Sequence, residues 1–347
     1  MRRNGSLIVE SEVWLKKMDI KRMDVKVSVV IPTYNRPALI KKCLEGLVQQ
    51  DFNPDAYEII VVTDGPDERT SSIINTYKNK CNRQVHCYSL PVKKGPAAAR
   101  NKGWRSAKGE LILFTDDDCI PTATWVSGFW KAYEAMQTNR IAFTGEILVP
   151  HKKPPTDHER NTIALEEADF VTANCAVNKA MLEHIGGFDE AFKMAWREDS
   201  DLEFKLLNAG VNIPHVEDAV VEHPIRQAPW GISLKEQRKS MFNALLFKKY
   251  PKLYRNRINK RPVLLYYGMV LLLFICLTAL LLAIKTLAVG SFLGWLILVT
   301  YFITKRLSGA SLAFKHVMEM IVTSMFIPFL SVFWTLYGSY KYKVLFL

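Results

Sequence analysis

Cysteine and histidine are scarce in this chain, with 6 of the former and 7 of the latter among 347 residues. Cys43, Cys81, Cys87, Cys119, Cys175 and Cys276 show no paired ligand spacing, which excludes a cysteine-built metal ribbon. Cys119 has no histidine near it in sequence and reads as a small buried residue, not a nucleophile. Residues 1–26 are charged and hold no apolar core of signal length, so the large soluble part is expected to stay in the cytoplasm. Charge is missing from three long runs: Asp, Glu, Lys and Arg are absent from Val263 to Ile284, Thr286 to Thr304 and Met320 to Tyr340. Each run has the length a helix needs to cross a bilayer, which excludes a wholly soluble protein. Acid is nearly missing from one further segment. Between Lys235 and Arg261 ten basic residues face Glu236 alone, so three quarters of the net charge of +12 abuts the first uncharged run. A cationic patch in that place points to anionic membrane lipids and away from nucleic acid.

Against these absences stands one concentration of acid. The apolar run Leu111-Ile112-Leu113-Phe114-Thr115 delivers Asp116, Asp117 and Asp118 at its end. Adjacent carboxylates repel and raise one another's pKa, and a divalent cation carrying a phosphorylated ligand is their natural counter-charge. Hard oxygen donors suit Mg²⁺ or Mn²⁺, which share their coordination sphere with substrate phosphates. A nucleotide-dependent enzyme is the first expectation.

Strands and helices alternate before this run. Strands are expected at Val27 to Pro32, Tyr57 to Val62, Val85 to Ser89 and Leu111 to Thr115, and helices at Pro37 to Gln49, Glu68 to Lys78 and Ala97 to Ala107. The pattern predicts an α/β fold, a mostly parallel sheet with helices on both faces and ligand groups at the strands' carboxyl ends. Thr33 to Arg36, Asp64-Gly65 and Asp116 to Asp118 fall at those ends.

Several motifs follow one another in order: Val29-Val30-Ile31-Pro32-Thr33-Tyr34-Asn35-Arg36, Val61-Val62-Thr63-Asp64-Gly65, Gly95 to Gly103, Phe114 to Asp118, Gly186-Gly187-Phe188-Asp189-Glu190 and Glu198-Asp199-Ser200-Asp201-Leu202. Together they resemble the nucleotide-sugar glycosyltransferases of family 2, over about Val27 to His223. The resemblance implies the Rossmann-like GT-A fold. It places Thr33, Tyr34 and Arg36 at the nucleotide base, where an aromatic beside a cation suits stacking. Asp64 accepts hydrogen bonds from base or ribose, and Arg100 and Asn101 lie near the donor nucleotide. Asp116 faces the ribose, with Asp117 beside it, and Asp118 binds Mn²⁺ or Mg²⁺. The metal stabilises the leaving diphosphate. Asp199 is the expected general base, with Glu198 and Asp201 as substitutes. His223, in Glu222-His223-Pro224, is a further metal or diphosphate contact; His151, His158 and His184 read as surface residues.

The expected organisation is an N-terminal arm (1–26), a catalytic domain (27–230, with a nucleotide-binding half 27–120 and an acceptor half 121–230), a basic interfacial helix (231–262) and a membrane domain (263–347). Its candidate spans are 263–284, 286–304 and 320–340, with the third open to a re-entrant or interfacial placement because Pro328 lies within it. Gly145 to Glu167 reads as a mobile acceptor loop. The implied enzyme is a multi-pass cell-membrane protein with a cytoplasmic catalytic domain. It transfers a sugar, with inversion, from a nucleoside-diphosphate donor, a UDP-sugar first among them, to a lipid-linked or saccharide acceptor. A processive polysaccharide synthase is a rival, but the Gln-x-x-Arg-Trp signature is absent, since Gln227 leads to Trp230 without it. A polyprenyl-phosphate glycosyltransferase and an inactive membrane scaffold are the others.

Overall fold

A computed structural model describes residues 25–80, 84–136, 138–152 and 154–347, so nearly all of the expected N-terminal arm lies outside the described residues. The strands are β1 (Val27–Thr33), β2 (Tyr57–Thr63), β3 (Gln84–Ser89), β4 (Leu111–Thr115), β5 (Ile120–Pro121), β6 (Ala142–Leu148), β7 (Asn174–Asn178) and β8 (His215–Glu222). They form one sheet in the order β3-β2-β1-β4-β7-β6-β8-β5. The pairs among β3, β2, β1 and β4 are parallel, as the strand and helix alternation predicts. β7 runs antiparallel to both β4 and β6, β8 is parallel to β6, and β5 closes the edge antiparallel to β8.

The central strands are apolar on both faces because both faces are covered. Val29, Ile31, Ile59 and Val61 enter one core with Leu44, Trp125 and Phe129. Val30, Ile60 and Val62 enter the other, with Ala99, Trp104 and Leu202. This places the carboxyl ends of β1, β2 and β4 side by side, where Thr33, Thr63 and Thr115 end their strands.

Two expectations are corrected. The basic segment is a run of short pieces, the helix Ile232–Glu236, a 3₁₀ turn Gln237–Ser240 and the helices Met241–Lys249 and Pro251–Arg257. Its apolar side chains face protein instead of lipid: Met241, Leu245 and Leu246 are buried with Phe192 and Phe204 of the catalytic domain. Proximity to these aromatic rings removes more apolar surface from water than a shallow interface can, and Pro251 breaks the helical run. The described residues between Gly145 and Glu167 also have regular structure. They continue β6 and then form the helix Asp157–Ile163, which starts in a capping box between Thr156 and Glu159.

The helices Leu264–Leu281, Lys285–Leu307 and Phe314–Tyr342 are each long and apolar enough to cross a membrane. The first two pair as a hairpin around Met269, Trp295, Val299 and Phe302, while Leu271, Phe274, Leu281 and Ile297 point outward.

Candidate active site

The donor side is built on the ends of β1, β2 and β4. Thr33 Oγ1 donates to Asp117 Oδ2 at 2.7 Å, and Arg36 pairs with Asp117 Oδ1 at 2.9 Å. Asp117 is therefore spent on holding residues 33–36 in place. It is 1% exposed, and burial pushes its carboxyl up to about 6 even with Arg36 alongside. Asp64 is also held in place: its two oxygens accept from the backbone amides of Lys94 and Gly95, at 2.7 and 2.9 Å, and clamp the loop after β3. A carboxylate this deep needs fixed donors, and backbone amides are the nearest ones. Tyr34 is half-buried with the ammonium of Lys93 3.7 Å over its ring. In the sequence Lys93 carries no signal, being a lysine in a loop.

Asp116 is joined to the acceptor half by one buried cation. Arg100, 2% exposed, reaches Asp116 Oδ1 at 2.6 Å and Glu198 Oε1 at 3.2 Å. Burial works against ionisation of Asp116, but the Arg100 charge and hydrogen bond outweigh it and hold the carboxyl below its ordinary range. Arg100 thus ties the two candidate catalytic regions together instead of pointing into open solvent. Its neighbour Asn101 serves the fold: its side chain bonds both Phe188 N and Phe188 O, at 3.0 and 2.9 Å. This pins the Gly186-Gly187 turn. At Gly187 the backbone φ is +63°, and an added Cβ would lie 2.7 Å from Asn101 and Trp104, so only glycine fits.

Asp118, His223 and Cys119 offer ligand atoms within 4.8 Å of one another. His223 Nε2 lies 3.9 Å from Asp118 Oδ2, and Arg226 Nε approaches the same oxygen to 2.8 Å. His223 Nδ1 is buried without a hydrogen bond among the described residues, and the buried Asp118 Oδ2 is held by its ion pair with the half-exposed Arg226. A carboxylate whose counter-ion is a half-exposed, displaceable arginine and an imidazole with an unsatisfied nitrogen fit Mn²⁺ or Mg²⁺ as two of its ligands, substrate oxygens and water completing the set. Burial drives the Cys119 thiol well above its ordinary pKa, so it stays a thiol, and a thiol is no ligand for a hard cation. Arg226 has no motif to mark it in the sequence.

The helix Glu198–Asn208 begins after Arg197, whose φ of 74° is left-handed and unusual for a side-chain-bearing residue. That turn sends Glu198 inward to Arg100 and leaves Asp199 half-buried, its Oδ1 accepting from Ser200 N at 2.7 Å. Burial raises both carboxyls, and the charge of Asp199 raises Glu198 further. Asp201 is taken out of contention as a base: it is fully buried and paired with Lys249 and Lys205. A cleft of about 1840 Å³ is lined by Arg100, Asp116, Glu198, Asp199 and His223. It extends past Trp230 and Arg257 to Lys315 and Met320 of the last long helix. Thr33, Tyr34, Arg36, Asp64, Asp117 and Asp118 do not line this cleft.

Residues 28–186 match the family model described as Glycosyl transferase family 2. A poly(ribitol-phosphate) beta-glucosyltransferase of Bacillus spizizenii is 43% identical over 94 residues, covering 27% of this chain and 15% of that protein. A GalNAc(5)-diNAcBac-PP-undecaprenol beta-1,3-glucosyltransferase of Campylobacter jejuni is 34% identical over 93 residues, 27% of this chain and 29% of that protein. The chain thus matches less than a third of the length of either relative. Among solved structures, a mannosyltransferase from Pyrobaculum calidifontis in complex with GDP-Man and Mn²⁺ aligns over 91% of this chain and 94% of its own. Its TM-score is 0.52 at 18% identity, a likeness of fold.

Proposed function

We propose, from the match of residues 28–186 to the Glycosyl transferase family 2 model, that the chain moves a sugar, with inversion, from a nucleoside-diphosphate donor to a lipid-linked saccharide. The observation that carries this reading is the Asp116–Arg100–Glu198 bridge with Asp199 beside it, at the head of a cleft that ends on a long apolar helix.

Asp199 is the base. Glu198 is committed to Arg100, whereas Asp199 has no side-chain partner among the described residues and lines the cleft. Its raised pKa makes it a stronger base than an ordinary carboxylate. It takes the acceptor hydroxyl proton as that oxygen bonds to the anomeric carbon and the bond from that carbon to the diphosphate oxygen breaks. A single displacement inverts the centre. Asp118 and His223 would hold Mn²⁺ or Mg²⁺, which when bound would supply positive charge near the leaving diphosphate. Thr33, Tyr34 and Arg36 receive the nucleotide, Arg36 being oriented by Asp117. Asp116 meets the ribose through its part-exposed oxygen face. Asp64 shapes the same site through the 93–95 loop.

The cleft supports a lipid-linked acceptor because Lys315, His316 and Met320 of a membrane-candidate helix line its far end, and the Campylobacter relative is named for an undecaprenol-linked substrate. The basic residues flanking the hairpin support a cytoplasmic catalytic domain in the cell membrane. The test is transfer or hydrolysis by the purified full chain across a panel of nucleotide sugars with Mn²⁺ or Mg²⁺, beside Asp118→Ala. Metal-dependent turnover of one donor, lost in the variant, is expected; no turnover and no nucleotide binding would leave a membrane scaffold. Unchanged turnover in Asp199→Asn would instead point to a polyprenyl-phosphate acceptor, already an anion.

A further inference from the structure

The helix Phe314–Tyr342 is long and apolar enough to span a membrane, yet it touches the catalytic side of the molecule near both of its ends. Glu319 Oε1 accepts from Gly231 N at 2.7 Å. Thr323 and Ser324 accept from Arg306 at 2.7 and 2.9 Å, and the same guanidinium holds Asp157 of the catalytic domain at 2.7 Å. Further along, Arg238 lies 5.7 Å from the Trp334 ring. Gly338 passes so near Met241 that an added Cβ would sit 2.5 Å from its carbonyl oxygen. Lys248 Nζ donates to Tyr342 O at 2.8 Å. From Glu319 to Tyr342 a helix rises about 35 Å, more than the roughly 30 Å of a hydrocarbon core.

The segment it follows belongs to the catalytic domain. Lys249 pairs with Asp189 and with the fully buried Asp201, and Phe242 packs on Phe192 at 5.9 Å between ring centroids. If the long helix crossed the bilayer, Lys235, Arg238, Lys239, Lys248 and Lys249 would be drawn into hydrocarbon beside it, a costly place for a cation. Its exposed side chains give a second, independent indication. Phe314, Met318, Phe326, Phe333, Leu336, Tyr337 and Tyr340 are exposed, and at 100° per residue they fall within an arc of about 140°. His316, Met320, Thr323, Ser324, Ile327 and Gly338 are buried on the opposite arc. Aromatic and aliphatic groups on one face, with Lys315 and Lys341 exposed near the two ends, suit the boundary between headgroups and acyl chains.

We propose that the helix Phe314–Tyr342 lies in the plane of the membrane and does not cross it, so that the chain spans the bilayer only through the hairpin Leu264–Leu307. The apolar face rests in the lipid boundary, the other carries the hairpin through Thr323, Ser324 and Ile327 and the catalytic side toward both ends, and the residues after Tyr342 return to the catalytic side. This placement sets the cleft's Lys315 and Met320 edge at the membrane surface. It depends on membrane geometry alone and stands or falls separately from the choice of donor and acceptor.

The test uses the full chain in sealed vesicles of phosphatidylglycerol and phosphatidylethanolamine, with a membrane-impermeant maleimide and the parent chain's labelling subtracted. Leu345→Cys is expected to label from the same side as Lys131→Cys on the catalytic domain, and Leu282→Cys, in the hairpin turn, from the other. Labelling of Leu345→Cys from the side opposite Lys131→Cys, or of Leu282→Cys from the same side, overturns the proposal. Nitroxides placed by Met318→Cys, Phe326→Cys, Phe333→Cys and Tyr337→Cys should report one shallow depth. A depth profile peaking near residue 326 would mean a span, and shielding of all four from a lipid-soluble quencher would mean that a second copy covers the face; either result also overturns it.

Discussion

At the scale of single residues the site is a set of carboxylates sorted by what each can reach. Asp117 has Arg36 and Thr33, Asp64 has two backbone amides, Asp201 has Lys249, Asp116 and Glu198 share Arg100, and Asp199 lines the cleft with no side-chain partner among the described residues. Asp199→Asn is expected to lower kcat by about 10²- to 10⁴-fold, the range of general base catalysis, with little change in donor KM. Because burial holds this carboxyl above its ordinary pKa, the active, deprotonated form appears late in a titration. The pH profile of kcat/KM should therefore keep rising beyond the usual carboxylate range and then level, which stopped-flow or discontinuous assays from acid to neutral pH will show. Arg100→Met leaves the buried Glu198 and the half-buried Asp116 without their cation. A loss of about 3–5 kcal/mol is expected, read as a fall in melting temperature, whereas Arg105→Met on the same helix, half exposed, should do little.

At the scale of elements the informative contact is between the helix Asp157–Ile163 and the membrane part, the end of the hairpin and the start of the last long helix together. Arg306 NH2 meets Asp157 Oδ2 at 2.7 Å, Arg160 donates to Ser308 O at 2.8 Å, and Asp157 N donates to His316 Nε2 at 3.0 Å. Three polar contacts on one short helix make the cleft wall a single body with the membrane part. In Arg306→Ala the helix should open more often, with amide exchange over 157–163 faster by about a hundredfold, the measure of a lost buried pair. Hydrogen exchange with mass spectrometry checks this, and unchanged protection would show that the capping box of Thr156 and Glu159 suffices by itself.

At the scale of the whole molecule the catalytic and membrane parts share one core. Phe192 and Phe204 from the former and Trp334, Tyr342 and Phe346 from the latter enclose Met241, Phe242 and Leu246. A chain cut after Arg261 would expose that cluster, several large aromatic faces at once, and such patches drive association. The expected outcome is a truncated protein that elutes in the void volume of a gel-filtration column, in contrast to the detergent-solubilised full chain; a monodisperse soluble fragment would count against the shared core.

What the sequence by itself determined are the features carried by local order: the alternation that yields β1 to β4, the acidic cluster at the end of β4, the Gly-Gly turn at 186–187, and the uncharged runs. Periodicity and spacing are properties of neighbours along the chain, so they survive without a structure. The tertiary structure alone decided which carboxylate is free and which is spent, because Lys249 lies 48 residues from Asp201 and Glu198 lies 98 from Arg100. It also turned the basic segment's apolar side inward and laid the last long helix along it. Hydropathy counts how apolar a helix is but not what stands on each side of it, and direction is set only when distant cations and carboxylates have found one another.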